Sequence, residues 1–303
     1  MKRNLFLALN FAIAIVFLWL IFYSIDFASL QKTLATSNVF LLLLAGALYL
    51  LAHVLSALRY SVLLPEYSIS TLFSSHIKSM LASDATPGRV GYSLFIFDMR
   101  KKGLRGGKGA KVMGISLASD FLVRGLLAFL AVLLFSKDFG PVGLIVILVS
   151  LVLFALLFYK ISLFARILSK LPFYGKRLKN AYDTVFKQKT SANQLAFSIA
   201  FSLLGAMTRG LEWLLVFQAL GLNFGIVNAI ILSALVTALS FIPLSLSGFG
   251  LQEGGGIILL TSLFGFTVVN AASAMLFIRF IDVFVDLIAG GWFFARESNK
   301  FKR

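Results

Sequence analysis

Apolar residues run along the chain in long, nearly unbroken stretches that are separated by short polar loops. Residues 5–25 and 140–159 are two such stretches, and each has about the 20 residues that a helix needs to cross a hydrocarbon core of about 30 Å. This pattern predicts an all-α, polytopic helical membrane protein.

Six stretches are predicted to cross the membrane completely, and they comprise residues 5–25, 39–58, 112–135, 141–159, 194–220 and 268–294. The first follows a basic N-terminus and so resembles a signal peptide. It runs for 21 residues, however, and no small-x-small cleavage site precedes Asp26. We therefore interpret it as a retained first span.

Two further apolar stretches, residues 69–99 and 226–266, are each broken by Pro, Gly and Ser. Backbone groups freed by such a break cannot face lipid, so they must be buried in protein or line a wet cavity. Both stretches are therefore predicted to be re-entrant hairpins. The alternative is that residues 226–266 form two short spans, which makes eight spans. The predicted hinge positions, which close helix packing would explain as well, are Pro87, Gly88, Gly91, Pro243, Ser247, Gly248 and Gly250.

Basic residues define the predicted sidedness, because 23 of the 28 lysines and arginines fall in residues 1–4, 59–111, 160–193 and 296–303. The positive-inside rule places these four segments, and hence both termini, in the cytoplasm. The first hairpin then enters from the cytoplasm and the second from the opposite side. Opposite entry and a weak likeness between the two breaks indicate an inverted repeat with its site near the membrane midplane.

This topology predicts that a cysteine at position 180 reacts only from the cytoplasmic side. The chain has no native cysteine, so Asn180→Cys gives a single reactive thiol. Its labelling by an impermeant maleimide should require opened cells. Labelling from outside intact cells would contradict the predicted sidedness.

Composition excludes several classes of function. The chain is 59% hydrophobic and 13% charged, whereas soluble domains average about 25% charged residues. The net charge of +16 is explained by the loops that orient the spans, so no nucleic-acid partner is expected. With no cysteine and two histidines, neither a thiolate site nor a histidine metal cluster is expected, and we predict no cofactor.

The loops are too short for a soluble domain. The longest, residues 160–193, has 34 residues, and domains below about 40 residues rarely fold unaided. Residues 1–303 are therefore predicted to form one transmembrane domain. The basic, glycine-rich residues 103–111 lack the spacing of a phosphate-binding loop and are interpreted as a flexible linker.

Ionisable residues inside the predicted spans are the strongest indication of function. One Arg or Asp at a helix centre costs about 2.5 to 3.5 kcal/mol on insertion scales, so such residues normally have partners in a bundle interior. Several stand three or four residues apart on one helix face. The alternative is that they form ion pairs with no ligand. The candidate substrate-path residues are Arg89, Arg124, Arg209, Glu212, Glu253, Arg279, Asp282 and Asp286, with Asp84 and Asp120 secondary.

Three motifs resemble a known family. They are Thr-Pro-Gly-Arg-Val-Gly at residues 86–91, the Pro-x-Ser-x-x-Gly-x-Gly-x-x-Glu pattern at residues 243–253, and Leu-Phe-Ile-Arg at residues 276–279. Together they resemble the lysylphosphatidylglycerol synthase transmembrane-region family over nearly the whole chain. That family includes the flippase half of the bacterial multiple peptide resistance factor and membrane partners of lipid-linked glycosylation. Tyr92 stands where the family usually has an acid, and Asp120 with Arg124 corresponds approximately to its Glu-Arg pair.

The resemblance implies a flippase-like protein of the cell membrane rather than an enzyme, since the family's synthase reaction belongs to a separate soluble domain. The arginines would hold the phosphate of an anionic or glycosylated lipid, and the carboxylates would balance or select the rest of the head group. A separate synthase or glycosyltransferase is an expected partner. Two alternatives remain: an ion-coupled small-solute secondary transporter, and, less favoured, a glycosyl-transfer enzyme.

Overall fold

The computed structural model of the chain describes residues 35–84, 86, 90–135, 148, 151–152, 190–239 and 250–300. In these residues the ordered elements are eight α-helices and one short 3-10 turn, with no strand. The helices are α1 (Val39–Leu63), α2 (Ile69–Asp84), α3 (Ser93–Lys101), α4 (Gly106–Phe135), α5 (Ala192–Ala219), α6 (Ile226–Leu239), α7 (Leu251–Phe264) and α8 (Val268–Lys300). The predicted class, a polytopic all-helical membrane protein, is confirmed.

Four helices are long and apolar enough to cross a membrane: α1, α4, α5 and α8. They correspond to the predicted spans 39–58, 112–135, 194–220 and 268–294. The predicted span 5–25 and nearly all of span 141–159 lie outside the described residues. Two shorter apolar helices, α6 and α7, occupy the second broken stretch.

Several of these helices begin at a polar residue whose side chain caps the first turn. At the start of α5 the Ser191 hydroxyl accepts from the Gln194 amide, and the Gln194 side chain accepts from the Ser191 amide. Asn38 caps α1 and Ser68 caps α2 through their side-chain oxygens. Each cap satisfies an amide that has no partner inside its helix, which explains why these helices start at polar residues.

Two helix boundaries differ from the sequence prediction. Helix α1 continues to Leu63, shortly before Pro65, and so includes Arg59, which the basic-residue count had placed in a cytoplasmic loop. Helix α4 begins at Gly106, so the interpretation of residues 103–111 as a flexible linker was wrong for most of that segment. The break before α4 is short because Gly103, at φ +95°, ends α3 in a left-handed conformation.

Both broken stretches contain pairs of short helices. In the first, α2 is followed by the 3-10 turn Val90–Tyr92 and then α3. The Thr86 hydroxyl accepts from the Gly91 amide across this break, so a backbone group freed there is satisfied by the protein. Pro87, Gly88, Pro243, Ser247 and Gly248 lie outside the described residues. The sides from which the hairpins enter, and the inverted repeat, stay predictions.

The chain divides into two compact units. The first comprises Met1–Val54, His76–Ser93 and Gly205–Arg303, and the second comprises Leu55–Ser75 and Leu94–Leu204. The apolar core of the first unit contains Trp213, Phe217 and Met275. In the second, Tyr60 stacks on Phe95 with their ring centroids 4.4 Å apart.

Gly91 is expected to tolerate no side chain. A Cβ at this position would overlap the backbone of Ala82 and Ser83, which cannot move aside as a flexible side chain can. We expect Gly91→Ala to lower the free energy of unfolding by about 1 to 3 kcal/mol, as overpacking does in well-packed cores. Gly205→Ala in α5, where a Cβ meets nothing within 4 Å among the described residues, is the matched control. Thermal unfolding in detergent measures both, and equal stability of the two variants would contradict the close approach.

Candidate functional site

A guanidinium fork joins two long helices inside the first unit. Arg209 on α5 donates from Nη1 and Nη2 to the two carboxylate oxygens of Asp282 on α8, at 2.7 and 2.8 Å. Arg209 Nη1 also lies 2.5 Å from Oε2 of Glu212, three residues along α5. Its guanidinium carbon is 4.6 Å from the centre of the Tyr49 ring on α1. Planar, two-pronged contacts of this kind fix both partners in orientation as well as in charge.

Arg279 connects residues that flank the two helix breaks. Its Nη2 lies 3.7 Å from Oδ1 of Asp84, the last residue of α2. Its Nε lies 3.6 Å from Oε1 of Glu253, and its Nη1 donates to Oε1 of Gln252 at 3.4 Å. The first break follows Asp84, and the second precedes Gln252 and Glu253. One buried side chain on α8 therefore contacts the helix ends beside both breaks.

Glu253 also stabilises the backbone where α7 begins. Its Oε2 accepts from the Gly250 amide at 2.6 Å, and Gly250 has φ +80°. A residue with a Cβ pays a steric penalty in that left-handed region, so glycine is favoured there. Gly250 thus allows the chain to turn into α7, and its role as a hinge stays a prediction.

A third group of polar side chains lies between α1, α2 and α8. The Tyr49 hydroxyl donates to Oδ2 of Asp286 at 2.9 Å, and His53 Nε2 lies 3.2 Å from Oδ1 of the same carboxylate. His53 Nδ1 in turn lies 3.1 Å from His76 Nε2. All four side chains are buried, and Asp286 has no exposed surface.

Carboxylates outnumber guanidinium groups in this buried set. Against Arg209 and Arg279 stand five acids of the first unit, namely Asp84, Glu212, Glu253, Asp282 and Asp286. We refer to these seven residues as the charge cluster.

The space inside the charge cluster is small. Both arginines, with Glu253, Asp282 and Trp213 among the other lining residues, surround a cavity of about 10 Å³. One water molecule needs about 10 to 15 Å³. As lined by the described residues, this cavity therefore holds at most about one water molecule.

An apolar groove of about 450 Å³ lies along α1 and α8, and α8 carries three residues of the charge cluster. Helix α8 contributes Ile281 and Val285 to the groove, each beside an acid of the cluster, Asp282 or Asp286. Helix α1 contributes Leu50 to the groove and Tyr49 to the polar interior. Phe280, also on the groove, is 64% exposed among the described residues. The same two helices thus present a polar and an apolar face.

A second buried ion pair lies in the second unit. Arg59 on α1 contacts Asp120 on α4 and donates to the Ser202 hydroxyl on α5 at 2.6 Å. Arg124 lies one turn beyond Asp120 and is partly buried. At the surface of this unit, partial burial acts to raise the pKa of Glu66, but the hydrogen bond from Lys108, a backbone hydrogen bond and the charge of Lys108 together outweigh it, so the pKa is lowered.

The structure places six of the eight predicted substrate-path residues in the first unit, together with the secondary candidate Asp84. Arg89 lies outside the described residues, and Arg124 belongs to the second unit. Sequence reasoning missed Arg59, Lys78 and the two histidines. Lys78 is buried and pairs with Glu297 at 2.6 Å. A usable signal for His53 was its spacing of four from Tyr49, which puts two polar side chains on one face of an apolar helix.

Comparison with known proteins identifies the family. No curated protein matches the chain. The family model described as the lysylphosphatidylglycerol synthase TM region matches residues 7–290, which cover most of the chain. The matched range includes all seven residues of the charge cluster. The chain belongs to the lysylphosphatidylglycerol synthase TM region family.

Proposed function

We propose that this protein moves the polar head group of a membrane lipid across the bilayer while the acyl chains stay in hydrocarbon. The observation that carries the proposal is the two-faced character of α1 and α8. Their inner residues belong to a buried polar interior, and their outer residues line an apolar groove. A lipid needs both environments side by side, because its head is charged and its chains are apolar.

Arg209 and Arg279 are the groups suited to a lipid phosphate. Guanidinium groups bind phosphate through paired hydrogen bonds, as Arg209 already binds the carboxylate of Asp282. A phosphate that entered the cluster would compete with Asp282 and Glu212 for Arg209. The released carboxylates would then be available to positive or hydroxyl-bearing parts of the head group. Arg89 and Arg124 stay candidates for further phosphate contacts.

The proposed movement leaves the lipid chemically unchanged. We infer that a separate synthase or glycosyltransferase makes the lipid, and that this protein passes an anionic or glycosylated head group to the other leaflet of the cell membrane. The principal alternative is an ion-coupled transporter of a small solute, which buried midplane carboxylates would also permit. The apolar groove beside the cluster favours the lipid.

Reconstitution distinguishes the two functions. Purified protein in liposomes that contain fluorescent phosphatidylglycerol or phosphatidylethanolamine should make inner-leaflet probe accessible to a membrane-impermeant quencher faster than in protein-free liposomes. Arg209→Met should remove this activity. Arg296→Met, which removes an exposed arginine near the end of α8, is the matched control and should retain it. Absence of lipid movement by the folded wild-type protein with every probe would overturn the proposal.

A further inference from the structure

Asp286 is a buried carboxylate whose described partners are neutral or titratable. Its two oxygens contact the hydroxyl of Tyr49 and the imidazole of His53. Among the described residues it has no lysine or arginine within 4 Å, in contrast to Asp282, which Arg209 grips with two bonds. A buried anion without a fixed cation is costly, so this position favours a bound proton, either on the carboxylate or on a histidine beside it.

Two close contacts place the imidazoles and the carboxylate in a row. His53 Nε2 lies 3.2 Å from Asp286 Oδ1, which is ion-pair distance, although neither atom makes a hydrogen bond among the described residues. His53 Nδ1 and His76 Nε2 are hydrogen-bonded at 3.1 Å, and when both rings carry their hydrogen on Nε2, His76 is the donor. The two imidazoles and the carboxylate are thus linked end to end from α2 through α1 to α8.

A proton can pass from His76 through His53 to Asp286 without any other reactant. An additional proton on His76 gives an imidazolium, whose Nε2–H bond breaks as an N–H bond forms at His53 Nδ1. The Nε2–H bond of His53 then breaks as an O–H bond forms at Asp286 Oδ1. The result is a neutral carboxylic acid and two neutral imidazoles. Chains of Asp, Glu and His in membrane interiors are the usual path for protons in pumps and transporters.

The row formed by His76, His53 and Asp286 lies next to the guanidinium group of Arg209. The charged groups that act electrostatically on Tyr49, beside Asp286, are Asp282 from α8, Asp84 from α2 and Arg209 from α5. Lys78, two residues after His76 on α2, is paired with Glu297. Tyr49 contacts both Asp286 and Arg209: its hydroxyl donates to Asp286, and its ring lies under the guanidinium group of Arg209. Protonation of Asp286 therefore removes a negative charge next to the cation that we assign to lipid phosphate.

We propose that Tyr49, His53, His76 and Asp286 form a proton-binding site, and that a transmembrane proton gradient drives lipid movement through it. The coupling rests on the proposed function, whereas the proton site does not. Among the residues that the structure describes, no group of three His, Asp or Glu side chains could hold a metal ion.

The first experiment reads the proton site directly. His53 and His76 are the only two histidines in the chain, so ¹⁵N-histidine labelling of the protein without a histidine tag gives imidazole ring signals from these two residues alone in nanodiscs. Between about pH 8 and pH 5 we expect the ring signals of both histidines to change together as the site takes up one proton. Asp286→Asn should abolish this change, whereas Glu66→Gln, which removes a half-exposed carboxylate, should leave it unchanged. Two imidazoles that change neither charge nor tautomer, or that titrate independently, would overturn the proton site.

The second experiment tests coupling in proteoliposomes with the fluorescent lipid that moves best. A gradient of one pH unit with one proton moved per lipid shifts the leaflet ratio of the probe by up to about tenfold, and reversal of the gradient should reverse the shift. His53→Gln and His76→Gln should lose this dependence on the gradient, and Glu66→Gln should keep it. Lipid movement by the wild-type protein that ignores the gradient would overturn the coupling alone. No lipid movement at all would overturn the proposed function, while the imidazole titration would still decide the proton site.

Discussion

Replacement of Arg209 by methionine is expected to lower the free energy of unfolding by about 3 to 5 kcal/mol and to stop lipid movement. The loss of stability follows because Glu212 and Asp282 would remain buried without the cation that contacts both. The loss of movement follows if Arg209 is the phosphate ligand. Thermal unfolding in detergent and the quencher assay measure the two effects separately.

The variant Arg209→Lys tests whether the positive charge alone is sufficient or whether the planar geometry of the guanidinium group is also needed. Arg209→Lys keeps a positive charge beside the two acids, so most of the stability should return. An ammonium group cannot reproduce the planar fork that grips both oxygens of Asp282 while it contacts Glu212. We expect Arg209→Lys to fold and to move lipid much more slowly than the wild type. Full activity of this variant would contradict the role of the fork, and destabilisation by the surface control Arg296→Met would show that any loss of arginine is harmful.

The long spans could be predicted because a membrane core imposes one requirement, a run of about 20 apolar residues, that composition satisfies directly. The breaks could be predicted for a similar reason, since each combines glycine with a proline, and proline cannot continue the hydrogen bonds of a helix interior. The C-terminal end of α1 was predicted less accurately than the existence of the span. Arg59 is basic and stands next to the predicted span 39–58, so the positive-inside rule assigned it to the loop, whereas the structure buries it against Asp120.

The sequence predicted which ionisable residues belong to the charge cluster, but it did not predict which of them contact one another between helices. Spacing along one helix predicted that Arg209 contacts Glu212, and the structure has that contact. Spacing cannot show which residues meet between helices, and the contacts of Arg209 with Asp282 and of Arg279 with Asp84 are of that kind. The pairing of His53 with His76 joins two helices across 23 positions of sequence. Only the packed structure places them beside Asp286.

Removal of the charge on Arg279 should destabilise the protein, and removal of its acidic partners as well should restore most of that stability. Arg279→Met removes the guanidinium group whose nitrogens lie 3.7 Å from Asp84 and 3.6 Å from Glu253. We expect a cost of about 3 to 5 kcal/mol. The triple variant Arg279→Met, Glu253→Gln, Asp84→Asn removes all three charges while it keeps the side chains nearly the same size. Its glutamine can still accept the hydrogen bond from the Gly250 amide at the start of α7.

The activity of this triple variant decides whether the charges serve the fold or the lipid. If Arg279 only balances buried acids, a triple variant that folds should move lipid as the wild type does. If Arg279 holds a phosphate between the two helix breaks, the same variant should fold and stay inactive, because no charge remains to replace the hydration that the head group loses on entry. We expect a melting temperature close to that of the wild type and no probe movement above that of protein-free liposomes. A stable triple variant with normal lipid movement would remove Arg279, Glu253 and Asp84 from the substrate path and leave Arg209 as the phosphate ligand in the charge cluster.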